Sequence, residues 1–178
     1  MVESSKAVFL DRDGVIVRGK IINNKLYAPR DLNLFYFYPK VLNNLNNLKK
    51  LGFKLFIITN QPDLGNNKIS LETLSKMHNL IINNLPIDKI YMCTHSQKAN
   101  CKCRKPKPYL IKKASKDNNI DLSKSYLIGD RWSDIKAGFD SGCRNIFINR
   151  HYKEKQPREQ IKTVYSLAGA VRYILSMN

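Results

Sequence analysis

Three aspartates occur in this chain just after short apolar runs, at positions where their carboxylates could converge. Asp11 and Asp13 lie in FLDRDGV, directly after a short apolar run, and Asp130 follows another apolar run in GDRWSD. A single aspartate in such a place is most often a solvated turn residue or a helix cap. Three that converge would repel one another unless a cation lies among them, and hard oxygen ligands suit Mg²⁺. The pattern therefore indicates a magnesium site, and magnesium in turn indicates phosphate chemistry.

A second group of residues has the types and spacing of a different metal site. It consists of Cys93, His95, Cys101 and Cys103. Three thiolates and one imidazole match a closed tetrahedral zinc site, although they do not by themselves distinguish zinc from iron. Because four protein ligands leave no position for water, we expect a structural metal in a loop at about 93–103. Arg104 and Lys105 follow directly, so a pinned loop would fix the direction of two cations and lower the entropy of holding them at a phosphate.

Short apolar runs and helical patterns alternate along the chain. The runs predict strands at Ala7 to Leu10, Phe53 to Ile58, Ile87 to Met92, Tyr126 to Ile128 and Asn145 to Ile148. Helical spacing occurs from Val41 to Leu51, from Leu71 to Leu85, after Pro108, from Ser133 to about Asp140, and from Ile161 to Ile174. This alternation predicts an α/β fold, a parallel sheet with helices on both faces. We expect residues 1–178 to form a single domain without a large cap domain.

The strand ends bring the polar residues to one edge of the predicted sheet. Asp11 and Asp13 follow the first strand, Thr59 follows the second, and Asp130 follows the fourth, with Asp134 one helical turn later. In open α/β sheets ligands bind beyond the carboxyl ends of the strands. The segment at about 17–38 fits neither a strand nor a helix, and we expect it to be a flap that covers this edge.

Composition limits the partners that the chain can have. Lysine and arginine number 31 against 14 aspartate and glutamate, a net charge of +17, but the lysines are scattered among asparagines and do not form a stripe. This pattern argues against nucleic acid and favours attraction of an anionic, small phosphorylated substrate. No apolar run is long enough for a membrane helix, and the amino-terminal stretch is too short for a signal peptide. We therefore expect a cytoplasmic monomer with no membrane partner.

Four segments together resemble the ordered motifs of the haloacid-dehalogenase phosphatases. They are FLDRDGV, TNQ, CRKPKP and GDRWSD, and the resemblance extends from Lys6 to Ile148. It implies a Rossmann-like fold and a Mg²⁺-dependent phosphomonoester hydrolase. By this resemblance Asp11 attacks phosphorus to form an aspartyl-phosphate and Asp13 is the acid/base. Thr59 and Lys105 hold the transferring phosphoryl oxygens.

The same resemblance implies a ligand set for the catalytic metal. Mg²⁺ would be bound by Asp11, by the backbone carbonyl of Asp13 and by Asp130. Asp134 would orient Lys105 or a metal-bound water in the second coordination shell, or would be no more than a charge at the start of a helix.

The Cys/His loop narrows the resemblance to a subgroup with two known activities. These are the D-glycero-D-manno-heptose-1,7-bisphosphate 7-phosphatases and the histidinol-phosphate phosphatases. The resemblance implies that substrate is contacted by Thr59, Asn60, Gln61, Pro62, Arg104, Lys105 and Arg131. TNQPD, the pair Met77-His78 and GDRWSDIKAG favour the heptose activity, with histidinol phosphate as the alternative and a 3′-phosphorylated nucleic-acid end as a more distant one.

Some residues depart from that subgroup or stay outside its chemistry. The flap sequence RGKIINNKLYAP differs from the usual loop, and LGNNK replaces a common Arg-Gly, with Lys68 as a substitute cation. His78 lies beside the apolar face of its predicted helix and is interpreted as structural. Trp132 either lines the cleft or packs in the core.

Overall fold

The computed structural model describes residues 4–178, which form eight strands and six α-helices. Residues 1–3, part of the amino-terminal stretch judged too short for a signal peptide, lie outside them. The strands are β1 Ala7–Leu10, β2 Lys20–Ile22, β3 Lys25–Tyr27, β4 Lys54–Asn60, β5 Lys89–Cys93, β6 Tyr126–Gly129, β7 Arg144–Ile148 and β8 Lys162–Val164. The helices are α1 Val41–Lys50, α2 Pro62–Gly65, α3 Leu71–Asn84, α4 Tyr109–Asn118, α5 Trp132–Phe139 and α6 Leu167–Ser176.

Six of the strands form one parallel sheet in the order β5-β4-β1-β6-β7-β8. On one side of β1 lie β4 and then β5, and on the other side lie β6, β7 and β8. The order reverses at β1, and the carboxyl end of such a strand is where ligands bind in open α/β sheets. The predicted parallel α/β sheet is therefore confirmed, and β1 is its central strand.

Alternate residues of β1 enter two separate cores. Val8 and Leu10 pack with α1, α3 and α6 on one face of the sheet. Ala7 and Phe9 pack with α4 and α5 on the other face. All four side chains are fully buried. Successive side chains of a strand point to opposite faces, so an unbroken apolar run is the pattern that a strand covered by helices on both sides requires.

The carboxy-terminal part of the fold corrects one prediction. The helical pattern from Ile161 to Ile174 is wrong over its first turn, because β8 forms there and pairs with β7 as a sixth strand of the sheet. Helix α6 begins only after Ser166, whose hydroxyl accepts a hydrogen bond from the Gly169 N–H at 3.1 Å. Val164, the buried residue of β8, happens to stand at helical spacing from the apolar face of α6, and this coincidence produced the error.

The predicted flap contains a small hairpin. Strands β2 and β3 pair antiparallel, and Asn23 and Asn24 form the turn between them with positive φ angles of 50° and 57°. Two asparagines suit such a turn, which needs left-handed conformations at both central positions. Bridges from Val17 to Asp13 and to Phe37 anchor the base of the flap beside β1. Among residues 4–178, every helix is too short or too polar to cross a membrane.

Candidate active site

The carboxyl ends of β1 and β6 bring three carboxylates together. Asp11 follows β1, Asp130 follows β6, and Asp134 lies in the first turn of α5. Each of the three can place one oxygen within 4.8 Å of an oxygen of the other two. Thr59 and Asn60, the last residues of β4, stand at the same edge. The structure thus brings together residues that are up to 123 positions apart, as the strand-end argument expects.

Lys105 places a buried ammonium group among these carboxylates. Its Nζ lies 2.8 Å from Asp11 Oδ1 and 2.6 Å from Asp134 Oδ1, and it donates to the Ile58 carbonyl at 2.6 Å. The side chain is 3% exposed. Burial alone would lower the Lys105 pKa, but the two carboxylates outweigh it and raise the pKa above its usual value. The ammonium therefore stays charged beside the two carboxylates.

The Asp130 carboxylate lies in an environment where a bound cation would stabilise its charge. Both of its oxygens are buried, and neither makes a hydrogen bond of normal geometry to the described residues, although the neighbouring Tyr152 hydroxyl acts to lower the Asp130 pKa. Burial, followed by the charges of Asp11 and Asp134, raises its pKa well above the usual value. Buried charges without partners are costly, and oxygen-rich clusters of this kind suit a hard divalent cation. The donor set therefore fits Mg²⁺.

Gly14 leaves the space that Asp130 occupies. A Cβ at position 14 would lie 1.9 Å from Asp130 Oδ2, and the φ of +93° is one that side-chain-bearing residues rarely adopt. The Gly14 carbonyl accepts hydrogen bonds from Arg150 Nε at 3.0 Å and from the Arg150 NH2 group at 2.9 Å. The turn after β1 is thus held from the carboxy-terminal region, a contact that sequence reasoning did not find.

Asp134 makes both of the contacts that the sequence left as alternatives. Its Oδ2 accepts from the backbone N–H of Arg131 at 2.9 Å, so it caps the start of α5. Its Oδ1 pairs with Lys105. Burial raises the Asp134 pKa, Lys105 acts against this, and the charge of Asp11 adds to the rise. Because both oxygens are engaged, Asp134 is suited to hold Lys105 in place.

The Asp13 carboxylate is held by a hydrogen bond from Gln61, which follows β4, and by an ion pair with Arg12. The Gln61 Nε2 group donates to Asp13 Oδ2 and to Thr59 Oγ1, each at 2.8 Å. Arg12 pairs with the Asp13 carboxylate at 2.9 Å and is itself completely buried. Arg12 also contacts His78 of α3, which the sequence analysis interpreted as structural. Gln61 and Arg12 thus restrict the direction in which the Asp13 carboxylate points.

The Cys/His cluster assembles at the end of β5 and in the loop that follows. Cys93 Sγ lies 3.5 Å from Cys101 Sγ and 3.7 Å from His95 Nδ1. Cys103 Sγ lies 3.5 Å from Cys101 Sγ and 3.2 Å from His95 Nδ1. These sulfur separations are far longer than the roughly 2 Å of a disulfide, and all four cysteines are free thiols. The four donor atoms can therefore share one metal ion.

A cleft of about 560 Å³ opens above the carboxylates. The flap, α2, the Cys/His loop and α5 all contribute to its walls. Its basic residues are Lys25, Arg30, Lys68, Arg104, Lys105 and Arg131. One guanidinium nitrogen of Arg104, NH1, is buried without a hydrogen-bond partner. Asn60, Gln61, Pro62 and Trp132 also line the cleft, so Trp132 stands on the wall and not in the core.

One ion pair and one hydrogen bond join the flap to other residues of the cleft. Arg30 Nε lies 2.6 Å from Asp63 Oδ2 of α2. Arg131 NH2 donates to the Leu26 carbonyl at 3.2 Å and pairs with Glu154 Oε1 at 3.2 Å. Glu154 is a site residue that sequence reasoning missed, because it lies in a polar segment with no periodic or motif signal.

Comparison with known proteins gives a consistent result. The model of the haloacid dehalogenase-like hydrolase family matches residues 17–148. The chain is 34% identical over 168 residues to D-glycero-beta-D-manno-heptose-1,7-bisphosphate 7-phosphatase of Helicobacter pylori strain J99, which covers 91% of this chain and 93% of that protein. It is also 34% identical over 153 residues to the histidine biosynthesis bifunctional protein HisB of Baumannia cicadellinicola. That alignment covers 83% of this chain but only 42% of HisB.

A solved structure shares the fold over nearly the whole chain. It is that of D,D-heptose 1,7-bisphosphate phosphatase from B. bronchiseptica complexed with magnesium and phosphate. The TM-score is 0.84 at 22% sequence identity, and the alignment covers 97% of this chain and 99% of the other. At this identity the likeness concerns the fold.

Proposed function

We propose that this chain, which belongs to the haloacid dehalogenase-like hydrolase family and is a phosphatase, removes the 7-phosphate of D-glycero-D-manno-heptose 1,7-bisphosphate. The observation that carries the proposal is the buried Lys105, which links Asp11 to Asp134 beneath a cleft lined with further cations. The substrate named for the Helicobacter pylori relative supports the choice of sugar.

Asp11 is the nucleophile in this proposal. Lys105 holds Asp11 Oδ1, so we assign the attack on phosphorus to Oδ2. The bond from phosphorus to the sugar oxygen breaks, and that oxygen takes a proton from Asp13 as it leaves. Water then attacks the aspartyl-phosphate while Asp13 takes the water's proton, which releases inorganic phosphate and restores Asp11. Such covalent catalysis divides one difficult displacement into two easier ones.

The groups around Asp11 lower the charge and fix the geometry of the reaction. We assign Lys105 and Thr59 to the phosphoryl oxygens, because both are buried at the edge where Asp11 stands. Asp11, the backbone carbonyl of Asp13 and Asp130 would hold Mg²⁺, which supplies charge neutralisation for the attack of a carboxylate on a phosphate dianion. The buried oxygens of Asp130, which make no hydrogen bond of normal geometry to the described residues, support this assignment.

We assign Zn²⁺ to the Cys/His cluster as a structural metal. Ligands at about 2.0–2.3 Å from a tetrahedral zinc ion lie roughly 3.5–3.8 Å from one another. The observed donor separations of 3.2–3.7 Å are close to this range. Burial raises the pKa of the Cys93 thiol to about 12, so a cation is needed to keep it as a thiolate. The bound ion would fix the loop that carries Arg104 and Lys105.

The cations of the cleft favour a substrate with two phosphates. We assign Arg104 and Arg131 to substrate, together with Asn60, Gln61 and Pro62 at the end of β4. Arg104 NH1 has no partner among the described residues, and guanidinium groups recognise phosphate with paired hydrogen bonds. Histidinol phosphate is the second candidate, supported by the HisB relative. Its ammonium group would face the basic residues of the cleft, which disfavours it against a bisphosphate.

Phosphate release tests the proposal directly. The substrates are the heptose 1,7-bisphosphate, the corresponding 1-phosphate, histidinol phosphate and a 3′-phosphorylated oligonucleotide, each with Mg²⁺ and with EDTA. We expect selective, Mg²⁺-dependent turnover of the bisphosphate, with Asp11→Asn inactive. Faster turnover of histidinol phosphate would leave the mechanism standing and overturn the choice of substrate. Full activity of Asp11→Asn would overturn the mechanism itself.

A further inference from the structure

Arg12 is a buried cation that lies in sequence between two proposed catalytic aspartates, Asp11 and Asp13, and contacts the second of them. It is 0% exposed, and a fully buried arginine needs partners for its charge. Nε lies 3.1 Å and 3.0 Å from the two Asp13 carboxylate oxygens, and NH2 lies 2.9 Å from Oδ2. The guanidinium carbon lies 5.8 Å from the centre of the Phe35 ring. Nε therefore donates hydrogen bonds to the Asp13 carboxylate, and NH2 contributes an ion-pair contact without a hydrogen bond of its own.

The remaining nitrogen of that guanidinium group meets a histidine from a distant helix. Arg12 NH1 lies 3.2 Å from His78 Nε2, and His78 belongs to α3, 66 residues along the chain. A guanidinium group can only donate, so Nε2 must accept and the imidazole must be the neutral form protonated on Nδ1. Burial, followed by the charge of Arg12, lowers the His78 pKa to about 4, which agrees with a neutral ring at neutral pH.

We infer that His78 is a positioning residue, which holds Arg12 so that the Asp13 carboxylate is oriented for proton transfer. The inference rests on the proposed function, since Asp13 is the acid/base under that proposal. Without an acceptor at position 78, Arg12 NH1 would lose this contact at a buried site, and the guanidinium would turn to find another partner. Asp13 is bound to the same guanidinium group and would move with it, leaving Gln61 as its other side-chain partner.

Two substrates with different leaving groups distinguish a positioning role of His78 from a purely structural role. An alkyl phosphate needs a proton on its leaving oxygen, whereas p-nitrophenolate leaves without one. The ratio kcat/KM reports the steps up to formation of the aspartyl-phosphate, so it excludes the later hydrolysis in which Asp13 acts as base. A misplaced Asp13 therefore lowers kcat/KM for the alkyl phosphate and spares p-nitrophenyl phosphate. Loss of folded protein lowers both equally.

The experiment compares His78→Leu with His78→Gln, which both fill much of the imidazole volume but differ in offering an acceptor. We expect His78→Leu to lower kcat/KM for the sugar phosphate by about 10-fold or more, a part of the typical contribution of general acid catalysis. The loss with p-nitrophenyl phosphate should be about 3-fold or less. His78→Gln should recover most of the activity toward the sugar phosphate.

Control variants distinguish a loss of stability from a loss of Asp13 positioning. Leu74→Ala opens a cavity in the same helix, and we expect it to lower the melting temperature and affect both substrates equally. If His78→Leu does not fold, His78→Met replaces it in the comparison with His78→Gln. Equal losses on both substrates, or no recovery in His78→Gln, overturn the inference and leave the proposed function intact. Wild-type protein that releases phosphate from neither substrate overturns the proposed function and the inference with it.

Discussion

The side chain of Asn60 binds both backbone polar groups of Lys105. Its Nδ2 donates to the Lys105 carbonyl at 3.2 Å, and its Oδ1 accepts from the Lys105 N–H at 3.1 Å. In addition, the Gln61 N–H donates to the Cys93 carbonyl at 2.7 Å. The end of β4 is therefore joined to both ends of the Cys/His loop. We therefore expect the position of the Lys105 ammonium to depend on this joint as well as on the Cys/His loop.

Replacing Asn60 by aspartate should misplace Lys105 without releasing the loop metal. The aspartate keeps the acceptor for the Lys105 N–H, but it loses the donor and places a carboxylate against the Lys105 carbonyl. Displacement of a catalytic group by about 1 Å can cost roughly 100-fold in rate, so we expect kcat to fall by about 10- to 100-fold. Steady-state kinetics and metal content measure the two effects separately. An unchanged kcat would show that the Asn60 joint does not position Lys105.

Replacing Asp130 by asparagine should stabilise the metal-free protein while abolishing activity. The variant removes a buried charge that lies close to the carboxylates of Asp11 and Asp134, and it keeps the side-chain shape. We expect the free energy of unfolding in EDTA to rise by about 1–2 kcal/mol. Denaturant unfolding with and without Mg²⁺ checks this, because Mg²⁺ should stabilise the wild type and not the variant.

An exposed aspartate provides the control for that measurement. Asp140→Asn removes a surface charge at the end of α5, and we expect it to leave the response to Mg²⁺ and the activity unchanged. Equal stabilisation of wild type and Asp130→Asn by Mg²⁺ would place the metal elsewhere.

Loss of one cysteine of the cluster should remove the loop metal and activity together. Cys101→Ser replaces a thiolate by a weaker ligand, and structural zinc contributes directly to folding free energy. We expect the metal content to fall below one ion per chain, the melting temperature to drop, and added Mg²⁺ not to restore turnover. Elemental analysis of the purified protein, together with thermal unfolding, measures these changes.

Cys143 offers a matched substitution outside the cluster. It is a buried thiol that packs with the core formed by α4 and α5. Cys143→Ala should leave the loop metal in place and retain activity, with at most a modest loss of stability from the smaller side chain. A Cys101→Ser protein with full metal content would contradict the assignment of the four ligands.

The parts of this molecule that were predicted from sequence are those set by local patterns. The β1 run AVFL is apolar at every position because both faces of the strand are covered, and Asp11 follows it at the sheet edge that all parallel strands share. Strand β8 was missed because it has three residues with two of them exposed, so no run or alternation marks it.

The contacts that sequence reasoning did not find join residues from separate elements. Arg12 meets His78 only because α3 packs with a particular rotation against the turn after β1, and no periodicity in α3 encodes that rotation. The pairing of Arg131 with Glu154 likewise depends on how the segment after β7 returns over the cleft. Such contacts follow from tertiary packing, which a single sequence does not display.

Glu154 should compete with the substrate for the Arg131 guanidinium group. In this structure the Arg131 guanidinium pairs with Glu154 Oε1 at 3.2 Å and with the Leu26 carbonyl of the flap, so a phosphate must compete for it. The Arg131 side chain is 32% exposed, and ion pairs of this kind contribute only about 0.2–1 kcal/mol. Glu154→Gln removes the competing charge and keeps the shape, so we expect KM for a sugar bisphosphate to fall by about 2- to 5-fold with kcat little changed. Steady-state kinetics at low and high salt measures this, because the gain should shrink as salt screens the cleft.

The surface variant Glu72→Gln provides the control. It breaks an exposed pair with Lys76 in α3 and removes the same net charge from a residue that does not line the cleft. A KM that falls equally in both variants would mean that net charge alone attracts the substrate, and that Arg131 is not the group that Glu154 restrains.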